Sequence, residues 1–364
     1  MKIIGIMNIE QRFSLIKQVG EEVITEDELK HILETKKNPI AYDGFEPSGT
    51  NIHIAQGLLR AINVNKMTKA GCTFKFLVAD WHAWANNKMG GNLERIQKVG
   101  KYLIEVWKAS DMDLKNVKFI WASDLLNNRD YWRTVLQVSR NSTVKRIIRT
   151  GEIMGRTESE VLQASQIIYP CMQAADIFHL KAEIAQLGMD QRKVNILARE
   201  IGPKIGFWKP VIVSHHMLMG LGEPPKTGKA VERAIEMKMS KSNPDSAIFM
   251  SDTEEEIQRK IKKAYCPAGT VEENPILEYC KYIIFEKFKT IRVERPKKFG
   301  GNLEFSSYED LENKFLQKKL HPMDLKQSTA EYLNKLVDPV RKKLEKNRTA
   351  QKLAAEIKTF EVTR

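Results

Sequence analysis

An alternation of short apolar runs with amphipathic stretches, beginning at Pro39, restricts the fold of this chain more than any other feature. Pro39-Ile40-Ala41-Tyr42, residues 73–79 and residues 117–122 each read as a buried strand. Between them, residues 53–69 and about 93–110 carry helical spacing, and Gly71 closes the first of these helices. Strands separated by helices at this interval read as a parallel sheet wrapped by helices. At Asn128 the alternation gives way to a helical, basic stretch running to Arg156, with Lys145-Arg146-Ile147-Ile148-Arg149 at its centre. It then resumes with a helix over 172–180, a strand over 183–187, a helix over 191–201 and a strand over 210–213. The expected class is therefore α/β, a doubly wound parallel sheet with a helical insertion at about 128–165. Residues 8–37 read as helical, with Thr25 and Glu28 forming a capping box. After Ser242 the periodicity is helical again, over 253–265, 275–288, 308–319 and 323–346. A boundary near Ser246 divides the chain into domains 1–245 and 246–364.

Composition bounds the setting. The 364 residues carry 59 Lys+Arg against 46 Asp+Glu, a net charge of +13, which suits a partner that is a polyanion. The four cysteines, Cys72, Cys171, Cys266 and Cys280, form no C-x-x-C pair and have no histidine at ligand spacing. A disulfide framework and a zinc site are not expected, and a reducing cytoplasmic setting is. No stretch approaches the ~20 apolar residues of a membrane span. His31, His179, His215 and His216 form no metal set, and no protein-ligated metal is expected.

Two segments carry chemistry. Glu236-Met237-Lys238-Met239-Ser240-Lys241-Ser242 places two lysines three positions apart, able to reach a polyphosphate and stabilise charge on a leaving pyrophosphate. Alone, such a pair is as a rule a solvated basic loop. Far upstream, residues 44–56 form a strand end, a Gly/Pro turn and a helix start bearing His53. Gly44 and Gly49 allow close backbone approach, the helix start offers free N–H groups, and His53 can donate to an ATP phosphate. Tyr169, Gln173 and Asp176 recur at i, i+4 and i+7, one helix face that needs polar partners if it packs inward.

Together the two segments resemble the two signatures of a class I aminoacyl-tRNA synthetase. The first usually reads His-Ile-Gly-His and here reads His53-Ile54-Ala55-Gln56. Ala55 is small enough for adenine to lie against the backbone, and Gln56 can hydrogen-bond but cannot be cationic. From about Ala41 to Lys343 the chain resembles an archaeal/eukaryotic-type tyrosyl-tRNA synthetase. The blocks that carry the likeness are residues 42–49, 168–176, 188–193, 262–269 and 321–326.

That resemblance implies a Rossmann-like catalytic domain followed by a helical anticodon-binding domain. It implies an enzyme that activates L-tyrosine with ATP and magnesium and passes the tyrosyl group to tRNA(Tyr). His53, Lys238 and Lys241 would be catalytic. Pro47, Ser48, Gly49, Ala55, Gln56, Met239, Ser240 and Ser242 would complete the ATP site. Tyr42, Gly44 and Glu46 would line the tyrosine pocket, with Tyr42 and Asp176 on the phenolic hydroxyl. Tyr169, Gln173 and Gln191 would hold the α-ammonium. Asp80 and His82 end a strand and are candidates for the same pocket. Arg192 and Lys193 would approach the acceptor end of the tRNA, and Phe299, His321 and Asp324 would read its anticodon by stacking and edge hydrogen bonds. The insertion would carry the contact of a homodimer. Two alternatives share the motifs: a tryptophanyl-tRNA synthetase, against which Asp176 facing Tyr42 argues because indole offers only one N–H donor, and a synthetase-derived RNA-binding protein without catalysis.

Overall fold

The computed structural model describes residues 7–49, 51–151, 163–226, 233, 237, 239 and 243–360. Six strands build the central sheet: β1 (Gly20–Ile24), β2 (Ile40–Phe45), β3 (Thr73–Val78), β4 (Val117–Trp121), β5 (Ile184–Gly188) and β6 (Val211–His215). Their spatial order is β1-β6-β5-β2-β3-β4. From β2 the chain steps outward to β3 and β4, then crosses back to β5 on the other side of β2. All neighbours are parallel except β1, which runs antiparallel to β6. This is the doubly wound sheet expected from the alternation.

Side chains alternate across the sheet and feed two apolar layers. On one face Phe45, Phe74 and Phe76 meet the helix Leu93–Ala109, whose Ile96, Val99, Leu103, Val106 and Trp107 recur every three or four residues and are buried. Phe76 and Trp107 stack with centroids 4.5 Å apart. On the other face Tyr42, Leu77, Ala185 and Leu187 lie under the helices Ala164–His179 and Arg192–Ile201. The helices Arg129–Arg140 and Val144–Gly151 pack on Ala164–His179 and are the described part of the expected insertion, residues 152–162 lying outside the description.

Three expectations change. Residues 8–37 are not one helix, because β1 separates the helices Ile9–Lys17 and Glu26–Thr35. Pairing of Gly20 with His215 and of Ile24 with Ile212 supplies the ladder, and such long-range partners override local propensity. Thr25 caps its helix by accepting from the Glu28 N–H at 3.3 Å, but the Glu28 carboxylate takes the Thr25 hydroxyl, Lys209 and Arg199 instead of closing the box on the backbone. The C-terminal part is helical, with two additions: the antiparallel pair β7 (Ile291–Val293) and β8 (Leu303–Phe305), and a last helix, Arg348–Lys358.

The C-terminal helices are not loosely appended. The helix Pro322–Lys346 packs on Glu254–Lys263 and on Leu93–Ala109. Lys343 Nζ reaches the Ala109 carbonyl at 3.1 Å, Asn347 bonds Glu105 at 2.8 Å, and one apolar cluster runs from the sheet into these helices.

His216, just past β6, adds a charged link. Its Nδ1 lies 3.0 Å from Glu21 on β1, its Nε2 lies 3.1 Å from Glu278, and Tyr282 stacks on the ring at 4.2 Å. Burial opposes the imidazolium, but hydrogen bonds to the two carboxylates win and raise the pKa to about 9. Because the folded value lies above the unfolded one, this contribution is complete below about pH 6.5 and disappears as pH rises through about 9. His216→Gln should therefore lower stability on the order of 1–2 kcal/mol at pH 6. The gap between the two proteins should close above pH about 9 in thermal melts taken across that range. A gap that persists unchanged at high pH would remove the ion pair as its cause.

Candidate active site

Strand order reverses between β2 and β5, so their carboxyl ends splay apart and open a crevice, as open α/β sheets do at such switch points. A cavity of about 300 Å³ lies there. Tyr42, Gly44 and Glu46 line it from β2 and its exit, and Tyr169, Gln173 and Asp176 from the helix Ala164–His179. Gln191 enters after β5, and Ser48, His53 and Gln56 close the other side. Residues far apart in sequence thus face one space.

The helix face Tyr169–Gln173–Asp176 is buried as expected. Gln173 Nε2 donates to Gln191 Oε1 at 2.9 Å, while its own Oε1 is buried without a hydrogen-bond partner. Glu46 is held by Asn86 at 2.9 Å and stands beside the Tyr169 hydroxyl. Burial raises the Tyr42 pKa well above the phenol range, so its hydroxyl keeps its proton. Asp176 accepts the Tyr131 hydroxyl on Oδ1 at 2.7 Å and pairs with His82 through Oδ2 at 2.9 Å. His82 lines the cavity; Asp80 does not. The Asp80 carboxylate is consumed inside the protein by the Trp81 and Ser123 N–H groups, each at 3.0 Å, and by Gln97 at 2.9 Å.

Sequence reasoning missed a polar pair in the cavity wall. Asp43, fully buried on β2, pairs with Arg60 Nε at 2.8 Å, and both line the cavity with Asp190 and His215. Burial pushes the Asp43 carboxyl up and Arg60 pulls it back, leaving a pKa of about 6. Burial, followed by the Arg60 charge, depresses His215 to about 3, which keeps it a neutral hydrogen-bonding group. The available signal was that Asp43 directly follows Tyr42 in a buried strand, where a carboxylate needs a cation.

The first signature segment is paired with the chain that follows the second. Ile54 N–H donates to Ile248 at 2.9 Å and Met250 N–H to Ile52 at 2.7 Å, so His53 bridges Phe249. The segment just after Ser242 is thereby docked beside His53. Met239 packs against the core, while Lys238, Ser240, Lys241 and Ser242 lie outside the described residues. Pro47, Gly49 and Ala55 flank the cavity without lining it; Gly49 has φ +82°, and its N–H points at the Met89 sulfur at 3.3 Å. Gly57 lies in a π-type turn, Ala55–Leu59, against Met250.

The remaining candidates stand away from the cavity. Arg192 pairs with Glu22 at 2.9 Å and Lys193 Nζ reaches the Arg149 carbonyl at 3.2 Å. Phe299 is 60% exposed beside Lys298. His321 caps the helix Pro322–Lys346 by accepting from the Met323 N–H at 3.2 Å. Asp324, in the first turn of that helix, lines a second cavity of about 350 Å³ with Lys262 and Gln327.

Residues 34–338 match the family "tRNA synthetases class I (W and Y)". The chain is 50% identical over 358 residues to tyrosine–tRNA ligase 2, cytoplasmic, of Arabidopsis thaliana, covering 98% of itself and 46% of that protein. It is 50% identical over 359 residues to tyrosine–tRNA ligase 1, cytoplasmic, of the same plant, covering 98% and 90%. The chain belongs to the tyrosine–tRNA ligase family. Its fold superposes on the tyrosyl-tRNA synthetase of Pyrococcus horikoshii, solved with L-tyrosine, at TM-score 0.89 and 41% identity over 96% of this chain and all of that one. These relatives favour the tyrosine reading over the tryptophan one. The chain thus spans about half of the first relative's length and nearly all of the other two. Membership makes it an aminoacyl-tRNA synthetase, a ligase of class I fold.

Gly57 tests the pairing of residues 248–250 with residues 52–54. A Cβ at that position would stand 2.5 Å from the Met250 sulfur. Gly57→Ala should therefore cost about 1–3 kcal/mol and slow ATP-dependent activation by loosening the bridge at His53. Parallel denaturation and activation assays would reveal it. Wild-type values in both would mean that Met250 yields without effect.

Proposed function

We propose that this chain activates L-tyrosine with ATP to tyrosyl-adenylate and pyrophosphate, then transfers the tyrosyl group to the 3′ end of tRNA(Tyr). The observation that carries the proposal is the convergence of Tyr42, Gln173, Asp176 and Gln191 with Ser48, His53 and Gln56 on one cavity at the switch point. The tyrosine carboxylate attacks the α-phosphorus, and the bond to pyrophosphate breaks. No protein nucleophile is involved, so the chain's work is positioning and stabilisation of charge.

Gln173 Oε1, lacking any protein donor, suits the substrate α-ammonium, with Gln191 and Tyr169 beside it and Glu46 adding negative charge. Asp176 and Tyr42 suit the phenolic hydroxyl. His53 and the helix start serve the triphosphate, and Lys238 and Lys241, outside the described residues, would stabilise charge on the leaving pyrophosphate. ATP enters as its magnesium complex. Among the described residues no group of three or more His, Cys, Asp or Glu is placed to hold a metal.

Residues 1–245 would act as the catalytic domain and 246–364 as the anticodon-binding domain, with Phe299, His321 and Asp324 facing tRNA and Arg192 and Lys193 nearer its acceptor end. Trp132, Leu136 and Val144 are large apolar side chains exposed on the insertion helices, which supports a second copy of this chain as the occupant of that face. No helix among the described residues is long and apolar enough to cross a membrane, and the Arabidopsis relatives are named cytoplasmic, the location proposed here.

Pyrophosphate exchange across the twenty amino acids is the direct test. Exchange should be specific to tyrosine and fall by orders of magnitude in Lys241→Ala. A rate within about threefold of wild type, under 1 kcal/mol, would refute the lysine's role, and exchange with tryptophan alone would refute the substrate. Asp324→Ala should weaken aminoacylation of tRNA by roughly 1–3 kcal/mol while leaving exchange nearly intact. A parallel loss of both half-reactions would make Asp324 a structural residue.

A further inference from the structure

Asp176 is a buried carboxylate with a neighbour at each oxygen: a hydrogen bond on Oδ1, and on Oδ2 an ion-pair contact that lacks hydrogen-bond alignment. It is 1% exposed. Tyr131 donates to Oδ1 at 2.7 Å, and His82 Nε2 stands 2.9 Å from Oδ2. A carboxylate taken out of water needs such partners, because an uncompensated buried charge costs several kcal/mol. The Tyr131 hydrogen bond and the His82 contact orient the carboxylate while leaving both oxygens able to accept a further donor.

His82 is itself held in place. It lies on the helix Asp80–Ala85, whose first turn is anchored through the Asp80 carboxylate to the Ser123 N–H and to Gln97. Tyr169 meets the ring edge-on, with centroids 5.3 Å apart. Burial works against charge on this histidine. The groups facing it, Asp176 first and then Glu46 and Asp80, outweigh burial and raise its pKa above the ordinary imidazole value. Asp176 and the His82 ring thus face each other, both buried, in the wall of the cavity.

We propose that His82 is a positioning residue for substrate choice: by holding Oδ2 of Asp176 it fixes that carboxylate as an acceptor aimed at the tyrosine hydroxyl. The proposal rests on the reading that Asp176 meets the phenol. Without His82, Asp176 can rotate or take up a proton. A protonated or rotated carboxyl no longer penalises a substrate that brings no hydroxyl. The consequence is selective, because tyrosine loses an acceptor while phenylalanine loses nothing.

The test compares His82→Asn, whose shorter amide cannot reach Oδ2, with His82→Gln, whose amide can. Pyrophosphate exchange is measured with tyrosine and with phenylalanine. In His82→Asn the KM for tyrosine should rise at least tenfold with kcat within threefold, and the tyrosine/phenylalanine ratio of kcat/KM should fall at least tenfold. His82→Gln should recover most of that ratio. Equal losses for both substrates, or no recovery with Gln, would overturn the proposal. A double-mutant comparison removes dependence on the stability of one variant. In an Asp176→Asn background no buried carboxylate needs compensation, and adding His82→Asn should change the ratio less than threefold. Multiplicative losses there would mean that His82 acts independently of Asp176, which also overturns it. If Asp176→Asn alone leaves the ratio at its wild-type value, the hydroxyl reading of Asp176 fails instead, and the proposal fails with it.

Discussion

The pairing of β2 with both β3 and β5 governs the rest of the molecule. Because β2 runs parallel to a neighbour on each side, the chain must leave it in one direction and return from the other. The carboxyl ends then diverge, and no loop can fill the space between them. A strand with two parallel neighbours is buried on both faces and must be short and apolar, which Ile40–Phe45 is. The polar residues that interrupt it, Tyr42 and Asp43, point to opposite faces of the sheet. Tyr42 reaches the cavity from one face, and Asp43 pairs with Arg60 on the other.

Around that opening the protein arranges charge in compensated pairs. Asp43 has Arg60, and Asp176 has His82 with Tyr131. His215 stays neutral against Gln186. Such pairs are poor sources of net stability, so their value lies in orientation. The proposed reaction, which uses no protein nucleophile, depends on that, since small displacements of a bound carboxylate relative to a phosphate are costly in rate. The short bridge between residues 52–54 and 248–250 does the same on a larger scale, fixing those two stretches of chain against each other beside His53.

Much of the site was legible beforehand because its residues sit at periodic or punctuated positions. Tyr169, Gln173 and Asp176 share a helix face at i, i+4 and i+7, and a polar face on an otherwise apolar helix announces a partner. Gly44 and Gly49 mark the turn between strand and helix. Other parts were not legible. Tyr131 lies in a helix read only as basic and helical, and nothing local indicates that its hydroxyl meets Asp176 across 45 residues. Asp80 looked like a cavity residue because it ends a strand, but its lone pairs are taken by the Trp81 and Ser123 N–H groups and by Gln97. β1 was hidden because Gly20–Ile24 has no pattern of its own and becomes a strand only through β6.

What the sequence determined by itself is everything that depends on local spacing: the alternation that demands a parallel sheet, the glycine turn after β2, the helix faces and the pair of signature segments. Hydrophobic period and turn chemistry act within about one turn or one strand, so they can be read along the chain. Tertiary structure decided which of these pieces touch. The switch between β2 and β5, the seating of 248–250 on 52–54, the pairing of Asp43 with Arg60 and the clamping of Asp176 by His82 and Tyr131 all join residues brought together only by folding. A hydrogen bond or ion pair requires its partners within about 3 Å, and distance along the chain says nothing about that.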